Sequence, residues 1–254
     1  MRIGTYNVLG LTGYPPRSAR DHLGDASRKI EHFTGVFAGL GCDVLALQEG
    51  PSLETMRRIA EQLEVHLAAF PSPSAYPGYL LSRHPIRESR VYAHPGPGGK
   101  DGPFSRCAGA ARLQIDSEEV WVADIHLHPH DVALRVREAA GLAAHLTAFA
   151  ADQALAVVMG DFNSQTGEAV HQMLAERGFV NAMVRVGGGI APTMDTAGVR
   201  PLAIDHIYVA PRLAGKLVSA EVVRGPGFRV DEPAPPGAWV HSDHLPVIGE
   251  VRWP

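Results

Sequence analysis

The chain has 254 residues, of which 45% are hydrophobic and 20% are charged, and its formal net charge is −4 at pH 7. This composition indicates a soluble globular protein with a sizeable core. It excludes a global positive field of the kind that draws a protein to nucleic acid, so any polyanionic ligand must be held locally.

The beginning of the chain and its cysteines suggest a cellular setting. The first ten residues, MRIGTYNVLG, have the pattern of a strand, and no stretch of eighteen or more apolar residues follows. We therefore expect no transmembrane segment and a cytoplasmic location. Cys42 and Cys107 are too few for a disulfide framework and lack metal-ligand spacing, so reduced thiols in or near the core are expected.

Strand-like apolar segments recur along the whole chain and are bounded by turn-forming residues. The predicted strands are, in chain order, Arg2 to Val8, Asp43 to Leu47, Tyr79 to Ser82, Ser89 to Ala93, Ala110 to Ile115, Val120 to Ile125, Leu155 to Met159, Ile204 to Val209, Leu217 to Val223 and Val247 to Val251.

Helical patterns lie between some of these strands. One helix has an apolar face at helical spacing and is predicted to end at Gly41, and a second follows Ser52 as its N-cap. A third is predicted from about residue 131 to about 149, and a fourth from about 167 to about 177. Because strands outnumber helices, we expect two sheets with helices outside them rather than a simple alternating βαβ array.

Three stretches rich in proline and glycine interrupt this pattern, beginning at His94, Val186 and Arg224. Each lies between strand-like segments, and none separates two self-sufficient halves. We therefore expect surface loops of one domain that spans residues 1–254.

Polar side chains stand at or beside the ends of many of the predicted strands. A single residue of this kind is usually a hydrogen-bonded structural residue, so each alone is weak evidence. The segment VVMGDFNSQT illustrates the pattern, because an apolar strand leads directly into an acid and an amide. The full set comprises Asn7, Glu49, His126, Asp161, Asn163, Asp205, Asp243 and His244.

Taken together, these residues form a chemically coherent set of oxygen ligands, imidazoles and partner carboxylates or amides. This set suits Mg²⁺-assisted phosphoester hydrolysis, since Mg²⁺ takes few protein oxygens and completes its shell with water and substrate phosphate. Mn²⁺ could substitute. No G-x-S-x-G elbow and no G-x-x-x-x-G-K-[ST] loop is present, and neither cysteine has a reactive context.

The motifs TYNV, DVLALQE, LLSRHPI, DIHL, GDFNS, PT…IDHIYV and SDHLPV occur in this order along the chain. In this order they resemble the endonuclease/exonuclease/phosphatase superfamily, which has the deoxyribonuclease-I-like fold. The resemblance spans nearly the whole chain, and GDFN followed by SDH is its specific combination. It implies an α/β fold: a four-layer sandwich of two mostly antiparallel β-sheets flanked by helices, with the site at one edge.

The resemblance also implies how the metal is held. Glu49 would bind the cation directly. Asn7 and Asp243 would help to build its coordination or hydration shell. Physical chemistry makes such a site plausible, because crowded carboxylates repel one another and a divalent cation relieves that repulsion.

By the same resemblance, Asp161 and Asn163 would orient or deprotonate the attacking water. His244, paired with Asp205, would contact the scissile phosphate and favour its transition state, and His126 would be a second phosphate contact or the acid for the leaving oxygen. An Asp–His pair keeps an imidazole oriented and more easily protonated, which suits a group that faces an anion.

The sequence differs at two positions from the abasic-site endonucleases of this superfamily, which argues against that branch. Abasic-site endonucleases carry an acid where this chain has Leu9, and a tyrosine where it has His126. The chain looks more like the wider group of nucleases, sphingomyelinases and other phosphodiesterases. Its partner is expected to be a phosphodiester, with nucleic acid, a phospholipid headgroup and a small phosphodiester on level terms.

Two alternatives remain open from the sequence. The first is a non-catalytic binding scaffold with the same fold, although such a scaffold would be free to lose the residues that are present here. The second is a zinc hydrolase built on His126, His128 and His130, because HLHPHD lies near a known zinc signature. The last two residues of that signature are swapped, and Pro129 would disturb the strand.

Overall fold

The computed structural model describes residues 1–93, 103–147 and 155–253. Most of the loop predicted from His94, residues 94–102, lies outside this part of the chain. So does the end of the helix predicted to reach residue 149.

The described residues form twelve strands and seven α-helices. The strands are β1 Arg2–Asn7, β2 Val44–Gln48, β3 His66–Phe70, β4 Gly78–Ser82, β5 Ile86–Val91, β6 Ala108–Ile115, β7 Glu118–His126, β8 Leu155–Asp161, β9 Val180–Asn181, β10 Asp205–Val209, β11 Leu217–Val222 and β12 Val247–Val251. The helices are α1 Pro16–Leu23, α2 Ala26–Leu40, α3 Leu53–Gln62, α4 Val132–Thr147, α5 Ala169–Glu176, α6 Ala182–Val186 and α7 Pro211–Ala214.

These strands build two six-stranded sheets. The strand order is β11-β12-β1-β2-β4-β3 in the first sheet and β5-β6-β7-β8-β10-β9 in the second. Neighbours are antiparallel except for the parallel pairs β1–β2 and β7–β8. The structure therefore confirms the predicted α/β class and the sandwich of two mostly antiparallel sheets.

Three hydrophobic clusters define the four layers. Residues of both sheets, such as Ile3 and Val157, share the cluster between the sheets. Helices α1, α2 and α3 cover the outer face of the first sheet, where Phe33 and Tyr6 belong to one cluster. Helices α4 and α5 cover the second sheet, where Leu142 and residues of β7 and β8 form another. Successive side chains of a strand point to opposite faces of its sheet, so each strand packs against the other sheet on one face and against helices on the other.

The layer between the sheets changes from apolar to polar along its length. On β1 the inward face reads Ile3, Thr5 and Asn7, all of them buried. On β8 it passes from Met159 to Asp161, which is also buried. Since each polar residue keeps the register of the apolar residues before it, alternation alone directs its side chain between the two sheets.

Strand direction gathers these polar ends at one edge of the sandwich. Asn7 ends β1 opposite Gln48 at the end of β2, because that pair is parallel. His126 likewise faces Asp161 at the ends of β7 and β8. Strand β10 is antiparallel to β8, so its first residue, Asp205, pairs with Asp161. The last residues of β1, β2, β7 and β8 therefore lie at the same edge of the sandwich as the first residue of β10.

Capping residues fix two of the helices where the sequence predicted. Gly41, in the left-handed conformation with φ 64°, ends α2. The Ser52 side chain accepts a hydrogen bond from the Thr55 amide at the start of α3. Helices α1, α6 and α7 and strands β3 and β9 were not predicted. Strand β3 contains no β-branched residue, and β9 is only two residues long. Pairing with β4 and with β10 makes these two segments strands.

No helix among the described residues is long and apolar enough to cross a membrane.

A glycine next to the polar edge tests this packing. A Cβ at Gly160, where φ is +147°, would lie 1.9 Å from the Ile125 carbonyl oxygen on β7. Gly160→Ala should therefore lower the free energy of unfolding by at least about 2 kcal/mol in urea denaturation. Gly35→Ala is the matched control, because nothing lies within 4 Å of a Cβ there in α2. It should raise stability by about 0.5–1 kcal/mol, and a destabilisation at both positions would contradict this account.

Candidate active site

The carboxylate of Asp161 lies at the centre of the polar edge. Its Oδ2 accepts a hydrogen bond of 3.0 Å from Asn7 Nδ2 on the opposite sheet. The same oxygen lies 3.3 Å from His126 Nε2 and 3.8 Å from His244 Nε2. Its Oδ1 accepts from the backbone amide of Asn163 at 2.9 Å. One buried carboxylate thus connects four of the residues that the sequence singled out.

His244 is held from its other side by an acid. Its Nδ1 lies 2.9 Å from Asp205 Oδ2, and the Thr193 hydroxyl donates to that oxygen at 2.6 Å. Backbone amides of Ile204 and Asp205 donate in turn to the Thr193 hydroxyl, at 3.1 Å each. The predicted pairing of His244 with Asp205 is therefore present, and Thr193 positions the acid.

Burial and neighbouring charges set the protonation of this cluster. Burial raises the pKa of Asp161, but the imidazoles of His126 and His244 outweigh it and hold that pKa well below its usual range. Burial lowers the pKa of His244, but the carboxylates of Asp205 and Asp161 outweigh it and raise that pKa to about 10. At neutral pH the site thus holds an ionised Asp161 beside a protonated His244.

The turn after β8 places Asn163 beside this cluster. Its φ of 47° lies in the left-handed region, which asparagine tolerates better than most residues. Its Nδ2 donates to the Leu127 carbonyl at 2.9 Å, which ties the turn to the end of β7. Asn163 is half-buried, so it borders the site at its accessible side.

Glu49 follows β2 and borders the same site with an unexpected partner. The sequence did not single out Arg106, whose Nη1 lies 3.1 Å from Glu49 Oε1 and 2.5 Å from His126 Nε2. Its guanidinium stacks on the Tyr76 ring, 4.1 Å from the ring centroid. Glu49, like Asn163, has a left-handed backbone, with φ 51°. The site therefore contains a guanidinium close to an imidazole and a carboxylate.

Arg106 and Tyr76 precede strands instead of following them. Strand β6 runs antiparallel to β7, so the residues before Ala108 lie beside the end of β7. Tyr76 precedes β4, which is antiparallel to β2, and the Gly50 amide donates to the Pro77 carbonyl at 3.0 Å. Strand polarity was the signal that could have found both residues.

Asp243 is tied to the end of β1 by one hydroxyl group. The Ser242 Oγ donates to the Asn7 carbonyl at 2.8 Å and lies 3.3 Å from Asp243 Oδ1. Asp243 is half-buried, whereas Asn7 is buried. The structure thus brings together, at one edge, all the residues that the sequence selected: Asn7, Glu49, His126, Asp161, Asn163, Asp205, Asp243 and His244.

The residues present fit a hard divalent cation. Carboxylate oxygens of Glu49, Asp161 and Asp243 and the amide oxygen of Asn7 are the ligand type that Mg²⁺ prefers. The Glu49 side chain is 17% exposed, so a cation could reach it from solvent. Within the described residues, Nδ1 of His126 and Oδ1 of Asp205 are also buried without a hydrogen-bond partner, which indicates remaining capacity for water or ligand.

A second grouping in the site could also hold a cation. In the part of the chain that the structure describes, Asp161, Asp205 and His244 have ligand atoms within 4.8 Å of one another. However, His244 Nδ1 already lies 2.9 Å from Asp205 Oδ2, and that oxygen also accepts a hydrogen bond of 2.6 Å from the Thr193 hydroxyl. This geometry therefore favours an acid–imidazole pair over a ligand role for His244.

The zinc alternative is not supported by the geometry. His126, His128 and His130 do not form a metal-ligating group in the described chain. The Nδ1 of His128 accepts backbone amides of His130 and Asp131, at 3.2 and 2.9 Å, and so holds the loop. His126 instead faces Asp161.

Two residues of α4 brace the loops of the site. Both oxygens of Glu138 are used: Oε1 accepts from the amide and hydroxyl of Ser105, at 2.9 and 2.7 Å, and Oε2 from the His128 amide at 2.9 Å. Arg135 forms a fork with Glu168, at 2.8 and 3.0 Å. This pair makes Arg135 a structural residue.

Comparisons with known proteins give one family and a common fold. A model of the Endonuclease/Exonuclease/phosphatase family matches residues 4–244. The mannosyl-6-phosphatase of Bacteroides thetaiotaomicron is 17% identical, with a TM-score of 0.77 and 100% of both chains covered. No curated protein matches the sequence.

Two further structures have the same fold. The 3′ phosphatase NExo of Neisseria, bound to a product DNA hairpin, is 21% identical with a TM-score of 0.70, and 100% of both chains is covered. Truncated TDP2 of Caenorhabditis elegans is 16% identical with a TM-score of 0.72, and 98% of this chain and 96% of that chain are covered. Identities this low establish the shared fold alone.

The Thr193 hydroxyl provides a test of the support behind His244. Thr193→Val keeps the shape but leaves the backbone amides of Ile204 and Asp205 without their acceptor. We expect the free energy of unfolding to fall by about 1–3 kcal/mol in urea denaturation. Thr193→Ser retains the hydroxyl and should lose less. Equal losses in the two variants would show that the methyl group, not the hydroxyl, supports the site.

Proposed function

Because the chain belongs to the Endonuclease/Exonuclease/phosphatase family, we propose that it is a divalent-metal-dependent phosphoester hydrolase. One observation carries this proposal: an ionised Asp161 and a protonated His244 lie 3.8 Å apart, and the Glu49 carboxylate lies 3.8 Å from His126 in the same cluster. Hydrolysis of a phosphoester needs a group that orients the attacking water. It also needs a cation that stabilises the negative charge of the transition state.

Glu49 would bind the cation directly, with Asn7 and Asp243 completing its coordination or hydration shell. Mg²⁺ is the expected ion and Mn²⁺ a substitute, since the donors are oxygens. The bound ion would neutralise the phosphate and thereby make it accessible to a nucleophile. Glu49 would then exchange its contact with Arg106, 3.1 Å away, for the cation.

Asp161 and Asn163 would orient the attacking water or take up its proton. Asp161 is ionised, so its carboxylate accepts a hydrogen bond from the water and turns a lone pair towards phosphorus. Asn163, fixed through Nδ2 to the Leu127 carbonyl, keeps its amide oxygen for a second contact. The water would then be held in position to attack phosphorus on the side opposite the leaving oxygen.

Two imidazoles would receive the charge that develops on phosphate. His244 is held by Asp205 and can donate from Nε2 to a phosphate oxygen. His126 would be a second phosphate contact or the acid for the leaving oxygen. Donors of this kind commonly lower the barrier by about 3 kcal/mol each.

Arg106 adds a role that the sequence did not predict. Its guanidinium is within contact distance of both Glu49 and His126, and its side chain is 15% exposed. A guanidinium donates two parallel hydrogen bonds to phosphate oxygens. We infer that Arg106 moves from Glu49 to the substrate phosphate when the cation binds.

The proposed substrate is a phosphoester. Its class is one of the three expected from the sequence: nucleic acid, a phospholipid headgroup or a small phosphodiester. The structural neighbours include a sugar phosphatase and a DNA 3′ phosphatase, so this fold serves substrates of both sizes. The alternative is a binding scaffold with the same fold, which would bind the phosphoester without turnover.

The first prediction concerns the cation. Purified protein should hydrolyse bis-(p-nitrophenyl) phosphate with Mg²⁺ or Mn²⁺ and stop when EDTA is added. Glu49→Gln should lower kcat/KM by at least about 100-fold, because the cation loses its direct carboxylate. Mn²⁺ should raise the melting temperature of the wild type but not that of the variant.

Glu61→Gln serves as the control, since Glu61 is exposed near the end of α3 and lines a different surface cavity, with Arg57 and His66. It should match the wild type in every measurement. Absence of metal-dependent turnover in a folded wild type would instead support the binding scaffold. Full activity in Glu49→Gln would remove that residue from the cation site.

The second prediction concerns Arg106. Arg106→Ala should reduce kcat/KM for bis-(p-nitrophenyl) phosphate by about 10- to 100-fold, since one charge-assisted phosphate contact is lost. Arg106→Lys should recover part of this loss, because a lysine keeps the charge without the fork. Arg87→Ala, an exposed arginine on β5, is the control. Unchanged kinetics in Arg106→Ala would confine Arg106 to a structural role.

A further inference from the structure

A pocket of about 310 Å³ lies among the loops that lead into the site, and the proposed mechanism does not use it. Three segments form its walls: residues 14–15, residues 196–198 and residues 230–240. Its volume is equivalent to about ten groups the size of a water molecule or a methylene. A cavity of this size can take a substantial part of a small substrate.

Two of the three wall segments lie three residues from the site or its support, and the third is hydrogen-bonded to one of them. Val240 is three residues before Asp243, so the two Cα atoms are at most about 11 Å apart. Thr196 is likewise three residues after Thr193, which donates to Asp205. Tyr14 is joined to Val240 by two backbone hydrogen bonds of 2.8 and 2.7 Å. The pocket is therefore a neighbour of the proposed reaction centre.

The walls are joined to one another by hydrogen bonds. The Val230 amide donates to the Thr196 hydroxyl at 3.1 Å, and the Ala197 amide donates to the Val230 carbonyl at 2.9 Å. The Gly198 amide donates to Glu232 Oε1 at 2.7 Å. Behind the pocket, the Trp239 ring stacks on His22, with 5.3 Å between the ring centroids. These contacts preform the cavity before any ligand arrives.

The lining is chemically one-sided. It consists mainly of apolar and aromatic groups, including Tyr14, Val230, Trp239 and Val240. Among the residues that the structure describes, the lining has one charged residue, Glu232, and no lysine or arginine. A carboxylate without a nearby lining cation repels a second phosphate, so the pocket disfavours the neighbouring phosphates of a polynucleotide. An apolar group, in contrast, gains free energy by leaving water here.

We propose that this pocket binds the uncharged apolar group that a phosphoester substrate carries beside its scissile phosphate. This inference rests on the proposed function, because it places the phosphate of the same molecule at Asp161 and His244. The substrate would be a phosphoester of an apolar alcohol. The alcohol part, alkyl or aryl, would lie between Trp239 and Val230, and the anionic end would face the site.

Affinity for phosphonates tests the pocket without turnover, because the carbon–phosphorus bond is not hydrolysed. We would measure Kd by calorimetry, with Mn²⁺ present, for methyl-, butyl-, hexyl- and octylphosphonate and for phenylphosphonate. From methyl to hexyl, Kd should fall at least tenfold, since each buried methylene favours binding by up to about fourfold. The phenyl arm distinguishes an aryl from an alkyl preference.

Two variants and one control locate the effect. Val230→Glu and Trp239→Ala should bring the ratio of the methyl and hexyl Kd values to within about threefold of unity. Val184→Glu introduces the same acid on α6 at an exposed valine outside the pocket lining, and it should leave the ratio unchanged. Because each ratio is taken within one variant, a general loss of affinity does not imitate the result.

Three outcomes would overturn the inference. The first is a Kd that does not depend on chain length in the wild type, and the second is a ratio of methyl to hexyl Kd values that stays high in both pocket variants. The third is tighter binding of a non-hydrolysable tri-thymidine phosphorothioate than of octylphosphonate. Turnover of bis-(p-nitrophenyl) phosphate is measured in parallel. Turnover with a flat chain-length dependence refutes the pocket alone. A steep dependence without turnover refutes the hydrolase alone.

Discussion

The alignment of the two sheets depends on one buried negative charge, the carboxylate of Asp161, and on the groups that stabilise it. Asp161 is almost fully buried between the two sheets, and an ionised carboxylate is tolerated there only with hydrogen-bond donors and positive charge around it. Asn7 supplies a donor from the first sheet, His126 lies on the second, and His244 precedes β12 of the first. The two sheets must therefore keep their ends aligned at this edge. The close approach of β7 and β8 at Gly160 serves the same alignment.

The polar cluster is joined to the apolar core by a graded layer. Gln48 lies between them and donates to Asp124 Oδ1 at 2.7 Å, while the same amide donates to Thr5 at 3.0 Å. Burial raises the pKa of Asp124 well above its usual value, so this carboxyl is protonated more readily than an exposed one. The layer passes from apolar through neutral polar to charged groups. The charges accordingly lie at the edge, where Glu49 and Arg106 border solvent and where a substrate can enter.

The sequence by itself determined ten of the twelve described strands and the chemistry at their ends. Alternation is local, so Asn7 and Asp161 were placed correctly by the residues that precede them on β1 and β8. Caps are local as well, which is why Gly41 and Ser52 marked helix boundaries. The order of the motifs then predicted the sandwich.

Only the tertiary structure decided which side chains meet. Arg106 lies 57 positions from Glu49 along the chain, and their contact depends on β6 running antiparallel to β7 and on the packing of one sheet over the other. The protonation of His244 likewise needs Asp161 and Asp205, which reach it from β8 and β10. Short-range patterns carry no information on such distances, because strand order and direction are settled by pairing across the whole chain. The same reason hid β3, which is a strand through its partner β4.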